Sequence, residues 1–414
     1  MKVFSFLLCI FFFMYTSSLL QAQTGWFIQT SGTTDFLNSV HFENSSTGWT
    51  AGGIGTILKT VDSGDNWVIQ PQGVNEQLNA IFFVDLNTGW AVSSDGSIIK
   101  TTNGGNNWVQ QTSGVSLSLE AIWFADNNTG WIGGGRTLLK TTNSGTNWFT
   151  QTIGNLDYIF SLFFLNSNTG WFTGYDYANS LGILRQTVNG GTTWSSQYNS
   201  ASITYLSIYF VNDNTGWAAG TGGNVMHTTN GGSNWIYQTT PVTADLFSVY
   251  FTNLNFGWAA GYDGVIIRTI DGGNNWVAQN TGTSFDFRSI WFADNNTGWA
   301  VGQHGTILKT TTGGDPIGIK PISNEVPAEY SLHQNYPNPF NPSTVIRFDV
   351  PKTSFAKLTV YDVLGREISV LVNEYLKAGS FKTEWNASSY PSGVYFYKLI
   401  TDGFSETRKM VLIK

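Results

Sequence analysis

"GWFIQTSG", residues 25–32, reads as a strand displaced from its repeat. It matches "NWVQQTSG" at 107–114, where the same pattern closes a longer unit that recurs along the chain. A Gly-Trp pair marks each unit. Its tryptophans are Trp49, Trp90, Trp131, Trp171, Trp217, Trp258 and Trp299, at spacings of 41, 41, 40, 46, 41 and 41 residues. A fixed period of this size signals a repeat architecture. The second unit contains "LNAIFFV" (78–84), "WAVSS" (90–94), "SIIKTT" (97–102) and "WVQQT" (108–112). Each piece is short, rich in β-branched and aromatic residues, and bounded by Asn, Asp and Gly. Each therefore reads as a strand in a run of tight hairpins.

Four antiparallel strands per unit fit either a closed β-propeller or an open solenoid. The chain ends decide between them. The last unit holds "FRSIWF", "WAVG" and "TILKTT" but no fourth strand, and residues 25–32 carry the missing pattern. An N-terminal strand would complete blade seven and remove the open edges. The expected fold is therefore all-β, a seven-bladed β-propeller closed by an N-terminal strand. The tryptophans agree, since 14 of the 17 fall at repeating positions.

"TTNGGNNW" (101–108) joins the third and fourth strands. Copies stand at 60–67, 141–148, 187–194, 228–235 and 269–276, with a truncated "TTTGGD" at 310–315. In such a turn an Asp or Asn side chain accepts backbone N–H groups, Gly takes positive φ, and Trp covers the hairpin. Recurrence in every unit marks scaffold rather than catalysis. Calcium is not expected, because only Asp62 and Asp271 are charged at the key position of the full copies. The pattern resembles the Asp-box, or bacterial neuraminidase repeat, filled here by Thr101, Asn103, Gly105, Asn107 and Trp108. Residues 25–315 as a whole resemble the family of the photosystem II assembly and stability factor. That resemblance implies the seven-bladed fold. The family's known role is chaperoning a photosynthetic subunit, and fold by itself does not carry function.

Residues 1–22 read as a secretory signal peptide: Lys2, then an apolar run to Tyr15, then small residues before a cut near Ala22. Cys9, the only cysteine, lies inside it, so disulfide, thiol and thiolate-metal chemistry are not expected of the mature chain. A net charge of −7 argues against nucleic acid as a partner. No second apolar run approaches the ~18 residues of a membrane span. A monomer is expected.

After residue 315 the texture changes. Residues 316–328 read as a linker, and 329–414 as a small Ig-like β-sandwich of alternating strands. "NYPNPFNPST", "VYDVLGRE", "YPSGVYFYKL" and the terminal "KMVLIK" resemble, in order, the type A C-terminal sorting domain of the type IX secretion system. The resemblance implies export across the outer membrane of a Gram-negative bacterium, to the medium or the cell surface. The partners it implies are the type IX secretion machinery and its sorting peptidase.

No metal-ligand spacing, nucleophile elbow or phosphate loop is evident, and no cofactor is expected. Sialidases also carry Asp-boxes, but they are six-bladed and grip a carboxylate with three arginines. The propeller here has only Arg136, Arg185, Arg268 and Arg288. Arg185 and Arg268 are read as equivalents of Lys59, Lys100, Lys140, Lys309 and His227, a basic series near the Asp-box turns. That series could pack on aromatic neighbours or form a ring for anionic polymers.

The blades differ most in their second-to-third loops. Blade four carries a five-residue insertion there, "GYDYANSLG" at 174–182. Variation on one face of a regular scaffold is where binding usually sits. The candidate contact residues are Tyr175, Asp176 and Tyr177, with Arg136, Tyr262, Asp263 and His304 in neighbouring loops. The ligand would be a protein or a glycan, bound without catalysis. The competing reading is a polysaccharide hydrolase of the Asp-box propeller type, with acids drawn from Asp95, Asp176 and Asp263.

Overall fold

The computed structural model describes residues 25–71, 73–153, 157–315, 320–323, 326–376, 378–387 and 390–414. They fall into two compact units, one within Thr24–Ile317 and one within Gly318–Lys414. The segment read as a signal peptide lies outside the described residues.

The first unit is seven four-stranded antiparallel sheets. Six are consecutive meanders, beginning with Leu37–Phe42, Gly48–Gly52, Ile57–Thr60 and Val68–Ile69. The seventh pairs Gly25–Gln29 with Ile307–Gly314, ahead of Gly298–Gly302 and Phe287–Phe292. Phe27 stands opposite Lys309 and Gln29 opposite Ile307. The same register puts Val109 opposite Lys100 and Gln111 opposite Ile98 in blade two. The propeller is thus closed as the displaced strand requires.

The repeat's sequence follows from how one blade meets the next. Each Gly-Trp tryptophan is fully buried and stacks on the last Phe of the following blade's inner strand. Trp49 lies on Phe83 and Trp299 on Phe42, and the seven centroid distances are 3.5–3.8 Å. The glycine before it is fixed by the same packing, since a Cβ on Gly89 would come within 2.6 Å of the Phe83 ring. Each stack contributes roughly 0.5–1.5 kcal/mol beyond the area it buries.

The Asp-box is a hydrogen-bonded turn. Thr101 Oγ1 accepts from Gly105 N at 2.9 Å, and Asn103 Oδ1 accepts from Asn107 N at 2.9 Å. Gly105 has φ +93°, a conformation open to glycine. The turn also joins blades, because Trp49 Nε1 donates to the Gly104 carbonyl at 3.1 Å. The truncated seventh copy is finished by Trp26. It meets Phe292 edge-on at 5.8 Å, as Trp108 meets Phe83 at 5.9 Å.

The second unit is two four-stranded sheets facing a core that includes Phe348, Trp385, Tyr397 and Met410. The strand Lys320–Ser323 pairs with Gly379–Asn386 at one sheet edge. It lies inside the stretch read as a linker, so the sandwich begins earlier than its composition suggested. Pro321 inside it, with Pro316 and Pro327 on either side, conceals a strand of only four residues.

Candidate functional site

All seven inner strands carry a β-bulge at the same place. Pairing jumps from Leu37 to Ser39, and likewise in the other blades. A bulge leaves one residue unpaired and re-aims its side chain. Those residues are Asn38, Asn79, Glu120, Phe160, Leu206, Phe247 and Arg288, and together they line one mouth of the central channel. The cavity there measures about 520 Å³. Below it the channel continues between the inner strands with a volume of about 260 Å³.

This mouth opens on the face that holds the second-to-third turns and the blade-to-blade connections, since Gly53 N donates to Phe36 O at 2.7 Å. The Asp-boxes occupy the opposite face with the "NTG" turns, where Ser63 N donates to Ser46 O at 2.8 Å.

The mouth is chemically divided. Blades seven, one, two and three contribute Arg288, Asn38, Asn79 and Glu120, and blades four to six contribute Phe160, Leu206 and Phe247. On the polar side the groups are braced against neighbouring residues. Asn38 Nδ2 donates to Leu78 O and Asn79 Nδ2 to Leu119 O, each at 2.9 Å. Glu120 Oε1 accepts from Ser118 Oγ and Tyr158 OH, each at 2.6 Å. Burial, together with that bond to the carboxylate, raises the Tyr158 pKa well above its ordinary value, so its hydroxyl stays a donor. The Arg288 guanidinium lies 4.1 Å from the Phe247 ring and 5.6 Å from the Tyr262 ring. Among the described residues it has no carboxylate at ion-pair distance.

The loop residues singled out from sequence form separate groups on the rim. Arg136 lies 5.4 Å from the Tyr177 ring, and Tyr177 meets Tyr175 at 4.9 Å. Tyr262 meets Phe247 at 4.5 Å, which joins it to the mouth. His304 packs on Phe285 at 4.8 Å, and Asp263 sits apart with φ +55° at a turn position. Asp176 is not an available contact. The insertion is not a loop but a longer hairpin, Gly170–Asp176 paired with Leu181–Thr187. Asp176 is buried at its tip, accepting from Asn179 Nδ2 at 2.8 Å and from the amides of Ala178 and Asn179 at 2.9 and 3.1 Å. The Asn179 side chain, more than burial opposes it, holds this carboxyl below its usual pKa. The carboxylate therefore closes a turn. Asp95 does similar work: burial pushes its pKa up, but bonds from Ser93 and Ser97 outweigh that and lower it.

The basic series also needs correction. Residue 186, not 185, stands at the shared position, because Gln186 pairs with Trp171 as Lys100 pairs with Trp90. Arg185 instead occupies a strand position that is Ile99 in blade two, and it approaches Asp176 at 4.0 Å. Lys59, Lys100 and Lys140 lie over their own blade's tryptophan and donate to the next Asp-box. Lys59 Nζ reaches Gly104 O, Lys100 reaches Ser144 O and Lys140 reaches Gly190 O, all at 2.8 Å. Burial pulls the pKa of these three below the ordinary value. They fasten blades together and do not form an open ring for polymers.

The bulge residues were missed from sequence, although a signal was there. In "LNSVHF", "LNAIFF", "LEAIWF", "IFSLFF", "YLSIYF", "LFSVYF" and "FRSIWF", the second letter alone ranges from Arg and Glu to Phe. A plain strand pairs that position like any other, which conceals it.

Two family models match the chain. Residues 235–336 match the photosynthesis system II assembly factor YCF48, and residues 334–414 match the secretion system C-terminal sorting domain. No curated protein matches. Among solved structures, YCF48 bound to D1 peptide is similar with a TM-score of 0.58 and 22% identity, covering 70% of this chain and 97% of that one. PorZ, a surface component of the type IX secretion system of Porphyromonas gingivalis, gives 0.56 and 15%, covering 93% of this chain and 60% of that one. A GH74 enzyme from Niastella koreensis gives 0.56 and 13%, covering 94% and 75%. At these identities the likeness concerns the fold. The chain is thus a seven-bladed β-propeller, with a stretch that matches the YCF48 model, joined to a secretion-system C-terminal sorting domain, the mark of a secreted or cell-surface protein.

Proposed function

We propose that the secreted chain is a non-enzymatic binding protein, and that its propeller holds a protein or glycan segment at the channel mouth on the connection face. The observation that carries this reading is the bulge column. Seven equivalent positions are turned toward one opening, and they are where the repeat abandons its residue type. Scaffold positions repeat; these do not. A mouth with an apolar arc beside Arg288 and Glu120 suits a segment carrying both apolar and polar groups. Tyr175, Tyr177, Arg136, Tyr262, Asp263 and His304 would form its outer rim. The peptide bound by the YCF48 neighbour supports a protein segment over a glycan.

The hydrolase reading draws support from the GH74 neighbour. Against it, Asp95, Asp176 and Asp263 stand in blades two, four and six, and the first two are held by turn hydrogen bonds. Glycosidase chemistry needs two carboxyl groups flanking one bond.

The test is to screen the full mature chain on peptide and glycan arrays, then repeat with Arg288→Ala and Phe160→Asp. Both variants should lose the hits while keeping the wild-type melting temperature. Hits that survive both would place the site elsewhere. Glycan turnover abolished by Asp176→Asn would establish the hydrolase instead. The sorting domain is proposed to engage the type IX secretion machinery and its sorting peptidase. Cells making a chain without residues 334–414 should hold it in the periplasm, and normal surface delivery would refute that role.

A further inference from the structure

The other end of the channel is built from different chemistry. The fifth letter of each six-residue stretch quoted above is His41, Phe82, Trp123, Phe163, Tyr209, Tyr250 or Trp291, an aromatic ring in every blade, and all of these but Phe163 line the channel. Consecutive rings touch all the way round, with centroids 4.6–6.4 Å apart. Two residues further on, toward the Asp-box face, the repeat position is half-buried and uncharged in six blades, as at Val84, Leu165 and Val211. In blade one it is Glu43, exposed at the rim. His41 Nε2 lies 3.7 Å from Glu43 Oε2, is itself buried, and has no hydrogen-bond partner.

Nothing about propeller closure demands this arrangement. Blade-to-blade packing is already supplied by the Trp–Phe stacks further out, and a single carboxylate on an uncharged rim contributes nothing to it. The Tyr209 and Tyr250 hydroxyls are kept neutral by burial, which raises both pKa values. The one Lys or Arg among the residues lining the channel is Arg288, at the opposite mouth.

We propose that the aromatic collar and Glu43, at the Asp-box end of the channel, form a second binding site selective for an alkylammonium group. Aromatic rings attract cations through their quadrupole, most strongly where water is excluded. Glu43 supplies the countercharge, and the apolar rim accepts the carbon substituents on nitrogen. An anion would meet one negative carboxylate and electron-rich rings, so it is disfavoured. The site is independent of the connection-face mouth, and its failure would leave the reading of that mouth untouched.

Calorimetric titration of the full mature chain with choline, at constant ionic strength, tests this. The control ligand is choline's neutral tert-butyl analogue, of the same shape without charge. Choline should bind about tenfold or more tightly than the analogue. Glu43→Gln, at an exposed position that should not disturb folding, should remove most of that preference. Equal binding of the two ligands would reduce the collar to an apolar cup and overturn the proposal. So would the absence of choline binding, or a Glu43→Gln variant that binds choline as the wild type does.

Discussion

The indole Nε1 of Trp26 donates to Gln279 Oε1 at 2.9 Å, bridging 253 positions of sequence. In blade six the same bond is made by Trp276 and Gln238 at 3.1 Å. Trp26 is therefore the tryptophan that the seventh Asp-box lacks, contributed from the other end of the propeller. It is 2% exposed. Trp26→Ala should destabilise the propeller by about 4 kcal/mol, through a cavity and an opened seam. Chemical denaturation measures this. A change under about 1 kcal/mol, within ordinary surface effects, would mean the N-terminal strand does not hold the ring closed.

The lysines over the Gly-Trp pairs yield a prediction opposite in kind to a binding role. Lys140→Met keeps the stem and removes the ammonium that bonds Gly190 O. It should cost about 1–2 kcal/mol, the worth of a charged hydrogen bond with a cation–π contact. Retention of anionic polymers on the protein should not change. A stable variant that loses polymer binding would restore the basic ring to functional standing.

Asp176 predicts a pH signature. Its folded pKa is held below that of an unfolded aspartate, first by the Asn179 side chain. A depressed carboxyl stabilises the fold above the unfolded pKa of about 3.9 and loses that contribution as pH falls through the folded value. Wild-type stability should therefore drop on acidification below about pH 4. In Asp176→Asn that component should be absent, leaving a shallower acid slope. Identical slopes would show that the hairpin tip is not closed by the ionised carboxylate.

In the sorting domain, the fully buried Tyr397 hydroxyl accepts from Asn335 N and donates to His333 O, each at 2.8 Å. Burial pushes its pKa up to about 12, so it is protonated in any ordinary buffer. Tyr397→Phe would leave both backbone groups unpaired and should cost about 1–3 kcal/mol. Hydrogen exchange at the Asn335 amide should accelerate in step. Unchanged protection there would mean another group anchors the segment.

The architecture was readable because each repeat letter answers to a contact. Trp49, Gly89 and Phe83 are one stack, so their spacing persists wherever the stack does. The closure was readable for the same reason, since Trp26 carries an Asp-box pattern with no box beside it. The mouth was harder. A bulge leaves no residue of its own in the sequence, and Asn38 and Phe160 share only a backbone irregularity. Asp176 misled in the other direction. An exposed-looking Tyr-Asp-Tyr run gave no sign that its central side chain folds back on Ala178 and Asn179. Charge favours Arg185 for the basic series, whereas strand register places Gln186 opposite Trp171.

The order of strands along the chain has a further consequence. The strand that finishes blade seven precedes every other strand of the propeller, and its partner Ile307–Gly314 is the last before the second unit. A nascent chain therefore cannot seal itself early, and every shorter product keeps an unpaired edge. Conversely, any chain long enough to present the sorting domain already holds both halves of the clasp. The sorting domain follows the last strand needed for completeness, so any molecule that carries it also carries every strand of the ring.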